Sequence, residues 1–153
     1  MTSVFLVRDE QVLLLYRMGS RAVPDSWVGV GGHLEPSEIA DPTGAALREL
    51  YEEIGVGADQ ISDLALRYVA LRDSASELRQ IFYFTATLRP EVPSPTECAE
   101  GELRWFDLSM DPSTLEMPAS AQVVFSHWLA SGRRDEDLRF LVINATGEVT
   151  GPF

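Results

Sequence analysis

The chain has 153 residues, 45% of them hydrophobic and 24% charged, which is enough for one globular domain with its own core. Its net charge of -12, from 24 acidic residues against 12 basic ones, argues against DNA, RNA and anionic membranes as partners unless charge is strongly segregated. All 12 basic residues are arginine and Cys98 is the single cysteine, so lysine phosphate loops, lysine Schiff bases, intrachain disulfides and cysteine zinc clusters are excluded.

The first residues, MTSVFLVRDEQ, carry neither a basic n-region nor a small-residue cleavage site, and no apolar run approaches the ~18 residues of a membrane span. A cytoplasmic location is therefore the default expectation. Residues 3–7 and 12–17 read as two short strands around the polar turn Arg8-Asp9-Glu10-Gln11. A Gly/Pro/Ser-rich loop spans 18–27, and 28–34 is glycine-rich and extended. Asp41-Pro42 then opens a helix, with aspartate at the N-cap and proline at the first helical position. It runs to Ile54 and stops on Gly55, a residue suited to a left-handed C-cap. Residues 64–71 and 80–88 are β-prone neighbours separated by a polar stretch. A Pro/Ser/Glu loop leads to a strand at 103–108, a helix follows at 120–130, then a strand at 140–144 and a turn at 145–148. There is no repeat and no linker, so residues 1–153 form one domain. The mixed order of elements predicts an α+β fold, an α/β/α sandwich with a mixed sheet between helices.

Chemistry concentrates in Arg48-Glu49-Leu50-Tyr51-Glu52-Glu53-Ile54-Gly55-Val56. Residues three and four apart share a helix face, so Glu49, Glu52 and Glu53 project together, while Leu47, Leu50 and Ile54 anchor the other side. Clustered carboxylates cost about 0.2–0.5 kcal/mol per exposed pair, and their hard oxygens suit Mg²⁺, Mn²⁺ or Ca²⁺. Alone, such a face is ordinarily solvated surface. Here it follows Gly31-Gly32-His33-Leu34-Glu35-Pro36-Ser37-Glu38, where adjacent glycines admit a close approach of backbone to ligand.

The run from Gly32 through Glu38, Arg48, Glu49, Leu50, Glu52, Glu53, Gly55 and Val56 resembles the Nudix box of the MutT-like hydrolases, G-x₅-E-x₇-R-E-U-x-E-E-x-G-U with U a bulky aliphatic. Every defined position is filled, but nine residues rather than seven separate Glu38 from Arg48. The extra pair is expected in the loop before the helix, where insertion is cheap and leaves the helical glutamates in register. The likeness extends to the N-terminal strand pair, to Ser26-Trp27-Val28-Gly29-Val30-Gly31-Gly32 and to Arg104-Trp105-Phe106-Asp107-Leu108.

The resemblance implies Mg²⁺-dependent hydrolysis (Mn²⁺ as alternative) of a phosphoanhydride bond. It assigns Glu49, Glu52 and Glu53 to metal binding and water activation, with Glu52 and Glu53 the first choices as ligands and Glu49 a ligand or base. A backbone carbonyl near Gly31 or Gly32 joins the metal shell, and a remote glutamate completes it. Glu97 matches that position best, with Glu100 the fallback. Arg48 is expected to orient Glu52 or Glu38. Arg17, Gly31, Trp27 and Tyr83 are the substrate-binding candidates, Arg17 for a phosphate and the aromatics for a base, whereas Trp105 reads as core. His33 and His127 do not make a metal pair, and Cys98 has no nucleophile's context.

The substrate class nearest in sequence is the nucleoside triphosphates, oxidised purines included, cut to the monophosphate and pyrophosphate. Val28, where many members carry a base-reading asparagine, and Ala119-Ser120, where some carry paired acids, depart from that branch. ADP-ribose, nucleotide sugars and dinucleotides are the alternatives. A Nudix module that binds nucleotides without hydrolysis, an acidic cation-binding structural protein and a cysteine-dependent isomerase on the same fold each fit less well. The partner is a nucleotide-type small molecule, not a nucleic acid polymer or a membrane, and a homodimer stays open.

Overall fold

A computed structural model describes residues 1–19, 24–73, 77–144 and 146–150. Parts of the expected loops at 18–27 and 72–79, and the first residue of the turn at 145–148, lie outside the described residues. The strands are β1 (Thr2–Arg8), β2 (Gln11–Arg17), β3 (Ser26–Val28), β4 (Ile61–Asp73), β5 (Leu78–Leu88), β6 (Gly101–Asp107) and β7 (Arg139–Ile143). The helices are α1 (Pro42–Ile54) and α2 (Ala119–Ala130).

Helix α1 begins and ends where its capping residues predict. The Asp41 carboxylate accepts from the Gly44 amide at 2.9 Å, and Gly55 takes φ +70°. The strands form one mixed sheet in the order β3-β2-β1-β5-β4-β7, with β6 along the other edge of β2. β1 runs parallel to β5 and β4 parallel to β7, and the remaining pairs are antiparallel.

Alternation along the strands divides the core in two, as the pleat requires. Val4, Leu6, Leu13, Phe84 and Ala86 face α1 through Ala46, Leu50 and Ile54. Phe5, Val12, Leu14 and Tyr83 face α2 through Val124, Phe125 and Trp128. The result is the expected α/β/α sandwich. Burying Leu50 and Ile54 is worth about 1.5–3 kcal/mol each, which outweighs the repulsion among glutamates on the same helix. No helix among the described residues is long and apolar enough to cross a membrane.

One irregularity shapes everything downstream. β1 pairs with β2 only from Leu6 to Arg8, and its first half is met instead by the segment after β3. Val4 and Val30 exchange backbone hydrogen bonds, and the Thr2 amide donates to the Gly32 carbonyl at 2.8 Å. This wedge leaves no room for side chains. A Cβ on Gly31, whose φ is +149°, would lie 2.5 Å from the Thr2 carbonyl oxygen, and one on Gly32 would lie 2.6 Å from the Glu49 carboxylate.

Candidate active site

The longer spacing between Glu38 and Arg48 still leaves the two side chains in contact. A 3₁₀ turn, Pro36–Glu38, followed by a bend at Ile39-Ala40, carries Glu38 onto Arg48. Arg48 holds Glu38 through two bonds, Nε to Oε1 at 2.7 Å and Nη2 to Oε2 at 2.8 Å. It also donates to Glu52 at 2.7 Å and to the His33 carbonyl at 3.1 Å, and lies 3.1 Å from Glu49. The guanidinium beside Glu38 draws that carboxyl down to about 2. Arg48 thus ties the glycine wedge, the inserted turn and the helix together and orients both Glu38 and Glu52.

In the second group, Glu53 has no arginine contact among the described residues. Glu53 accepts from the Gly31 amide at 2.9 Å and lies close enough to Glu100 to feel its charge. Burial, then the charge of Glu100, pushes the Glu53 carboxyl up to about 8, with Glu49 adding to the rise against the Gly31 amide. Glu49 is buried and likewise raised, by burial first, with Arg48 pulling the other way. Glu100 meets Arg17 as an ion pair at 2.5 Å, without the alignment of a hydrogen bond, which leaves its buried Oε2 with no hydrogen-bond partner.

Glu100 reaches this place through tertiary contacts. The chain turns at Cys98–Gly101, Gly101 lies opposite Arg17, and the Glu100 carbonyl accepts from the Met18 amide. A Cβ on Gly101 would overlap the Tyr16 carbonyl oxygen, so only glycine permits this register. Glu97, one turn earlier, is exposed and lines a different surface depression with Thr96 and Cys98. The structure therefore brings Glu100, not Glu97, to Glu49 and Glu53. Of the helical glutamates, Glu52 is the most exposed, its side chain 56% open to solvent, and its charge still reaches Glu49.

A cleft of about 160 Å³ opens beside the wedge, lined by Thr2, Ser3, Arg17, Ser26, Val28 and Gly31 along with Arg72, Arg79, Ile81, Tyr83 and Pro118. Arg17 and Gly31 both line this cleft. Tyr83 forms part of the floor. Its ring is buried 6.0 Å from Phe5 and its phenol is pushed up to about 12 by burial, so it is not a free stacking platform. Trp27 sits elsewhere: its ring packs against Tyr16 and edge-on to Phe106, with the Arg104 guanidinium over it. Trp105 packs into the α1-side core beneath Arg8, and Tyr68 and Ser131 hold His127 by hydrogen bonds. Arg72 and Arg79 carried no signal in the sequence, because only the β4–β5 register aligns them.

The oxygens fit a hard divalent cation. All donors are carboxylate or carbonyl, burial and then the charge of Glu100 hold the Glu53 carboxyl up to about 8, and Glu100 Oε2 accepts no aligned hydrogen bond although the Arg17 guanidinium lies beside it. Among the described residues no three or more His, Cys, Asp or Glu side chains are grouped so as to hold a metal ion as they stand, so these carboxylates would have to draw together around one.

Comparison with known proteins agrees with this geometry. The family described as NUDIX domain matches residues 2–128. The mouse diphosphoinositol polyphosphate phosphohydrolase 3-alpha is 49% identical over 49 residues, 32% of this chain and 27% of that protein. Human diphosphoinositol polyphosphate phosphohydrolase 2 is 47% identical over 49 residues, 32% of this chain and 24% of that protein. The chain thus matches only about a quarter of the length of these relatives. The MutT protein of Bacillus halodurans superposes with a TM-score of 0.67 at 23% identity, covering 98% of this chain and 93% of that one. The NUDIX domain of Shewanella oneidensis NrtR, solved with ADP ribose, gives 0.61 at 17%, covering 88% and 85%.

Proposed function

Since the chain belongs to the Nudix family of hydrolases, we propose that it cleaves a phosphoanhydride bond in a nucleoside-diphosphate-linked small molecule at the Glu49–Glu53–Glu100 cluster. The observation that carries this reading is the crowding of those carboxylates against the Gly31 amide at the mouth of a cleft rich in arginine. Glu49, Glu53 and Glu100 would hold a divalent cation such as Mg²⁺ or Mn²⁺, with Glu52 and the second lone pair of the Gly32 carbonyl as further donors. When bound, the ion supplies charge neutralisation on the diphosphate and a more acidic bound water.

The chain's own residues do the rest. Gly31 and Gly32 let the backbone come close to the phosphates, and the Gly31 amide fixes the Glu53 rotamer. Arg17 offers a cation at the boundary between cluster and cleft while holding Glu100. Glu49, buried and raised, is suited to accept the proton of the attacking water at Oε1 or Oε2. Arg48 positions the helix and touches no substrate.

The cleft is smaller than the ~300 Å³ at which pockets begin to enclose a drug-sized ligand, so it takes one end of the substrate. Val28, Ile81 and Pro118 offer apolar walls for a flat ring, and the buried Thr2 Oγ1 is an unpaired polar atom beside them. This supports a nucleoside triphosphate, with an oxidised purine as one form of the base, giving monophosphate and pyrophosphate. A second reading, ADP-ribose or a nucleotide sugar or dinucleotide, is favoured by one observation. Arg72 and Arg79 face each other across β4 and β5 beyond Ile81, where they suit a further anionic group.

The test is a panel of normal and oxidised nucleoside triphosphates, ADP-ribose, nucleotide sugars and dinucleoside polyphosphates with Mg²⁺, with products separated by chromatography. Hydrolysis of one class by the wild type, lost in Glu53→Gln and Glu100→Gln, supports the proposal. Hydrolysis that survives in both variants would sink it.

A further inference from the structure

At the opposite end of α2 from the glutamate cleft, a second opening of about 420 Å³ is lined by Arg67, Arg133 and Arg134, together with Thr85, Thr87 and Asp63. Its central feature is a break in the β4–β5 ladder: the register shifts between Leu66, opposite Phe84, and Tyr68, opposite Tyr83, leaving Arg67 as the unpaired residue. A bulge of this kind re-aims side chains, and here both Arg67 and Tyr68 turn toward Gly132 beyond α2.

Arg67 is only 8% exposed, yet its polar atoms are poorly met. Nη2 donates to the Gly132 carbonyl at 3.3 Å, Nε has no hydrogen-bond partner, and among the described residues no carboxylate pairs with it. The nearby acid Asp135 is engaged by Arg139 through bonds of 2.9 and 2.7 Å, and the Ser62 hydroxyl donates to Asp63 at 2.8 Å. Arg133 spends its Nε on the Leu129 carbonyl at 3.3 Å, and neither Arg133 nor Arg134 has a carboxylate partner among the described residues. Arg133 spends one N–H on a carbonyl in the last turn of α2, and Arg67 spends one on the Gly132 carbonyl just beyond it. A guanidinium carries five, and a buried, unpaired one is costly. In a chain of net charge -12, three arginines converging on one opening with a single aspartate is a marked segregation of charge.

We propose that this opening is a second ligand site, for the phosphate group of a small molecule, separate from the catalytic cleft. The planar forks of Arg67, Arg133 and Arg134 match phosphate oxygens, and the hydroxyls of Thr85 and Thr87 add donors along β5. The volume lies within the range of small-molecule sites, so a nucleoside monophosphate has room as well as free phosphate. This proposal does not depend on the catalytic reading.

The experiment uses the full chain without divalent metal, in wild-type form and as Glu53→Gln, titrated by calorimetry with inorganic phosphate and with AMP. Saturable binding is expected in both, weakened about tenfold or more in Arg133→Ala/Arg134→Ala, the loss of charge-assisted hydrogen bonds to phosphate. These residues are exposed, so the double variant should fold, which circular dichroism checks; Arg67→Met is the second variant. Equal affinity for phosphate and AMP names the free ion as ligand, and tighter AMP binding names a nucleotide phosphate. Absence of saturable binding, affinity unchanged in the double variant, or affinity abolished instead by Arg17→Ala would each overturn the proposal.

Discussion

Two groups of carboxylates stand side by side around α1 and are treated in opposite ways. Glu38 and Glu52 are matched by Arg48, and the first is drawn down to about 2. Glu53, with Glu49 and Glu100 around it, has one backbone amide and no arginine of its own, and is pushed up to about 8. All of them but Glu100 come from the same short motif. Charge matched by Arg48 builds the scaffold, and the buried, crowded carboxylates which that scaffold holds are the ones we propose for a ligand.

The largest effect separates the groups by function. Glu53→Gln should lower kcat by about two to four orders of magnitude, the range for loss of a group acting directly on proton and charge. Its melting temperature without metal should match or exceed that of the wild type, because repulsion is relieved. A melting point several degrees lower would show Glu53 to be structural. Glu100→Gln should follow Glu53→Gln, whereas Glu97→Gln should stay within about twofold of wild type, as exposed sites away from such features do. Steady-state kinetics on both variants checks this, and the reverse order would return the remote glutamate to Glu97.

A smaller effect is expected at the scaffold. Arg48→Ala should weaken Mg²⁺ activation by about 10–100-fold through misplaced glutamates, as loss of a supporting partner does. Arg48→Lys should not restore it, since a point charge cannot bridge both Glu38 oxygens and Glu52. Full rescue by lysine would show that charge alone matters there.

The smallest effects lie in pH. A carboxyl raised in the fold contributes stability that is present below its unfolded value and lost as pH rises through the folded one. The Glu53 contribution therefore declines from about 4.5 to about 8. Glu38, drawn down, behaves the other way: its contribution is present above about 4.5 and lost as pH falls toward about 2. Metal-free melting curves should show both slopes, with Mg²⁺ removing the upper one and leaving the lower. A Mg²⁺-insensitive upper slope would break the contrast.

Helix α1 was legible residue by residue, since Asp41, Pro42 and Gly55 act through bonds that close within a turn. The two added residues were expected in the loop before it, and Ile39-Ala40 form a turn there. Glu97 and Glu100 looked interchangeable because they differ only in where a turn falls and in the pairing of Gly101 with Arg17. Trp27 read as a base platform, yet its strand position directs it onto Phe106.

Sequence was enough for both helices, for every strand except β3 (where a loop was expected), for the α/β/α layering and for the family, because caps, alternation and motif spacing are local properties of the chain. Tertiary structure alone decided which glutamate joins Glu49 and Glu53, that Arg72 and Arg79 share a cleft, and that Arg67 is buried at a bulge. Those facts depend on strand register, and register is set by packing between segments far apart in the chain.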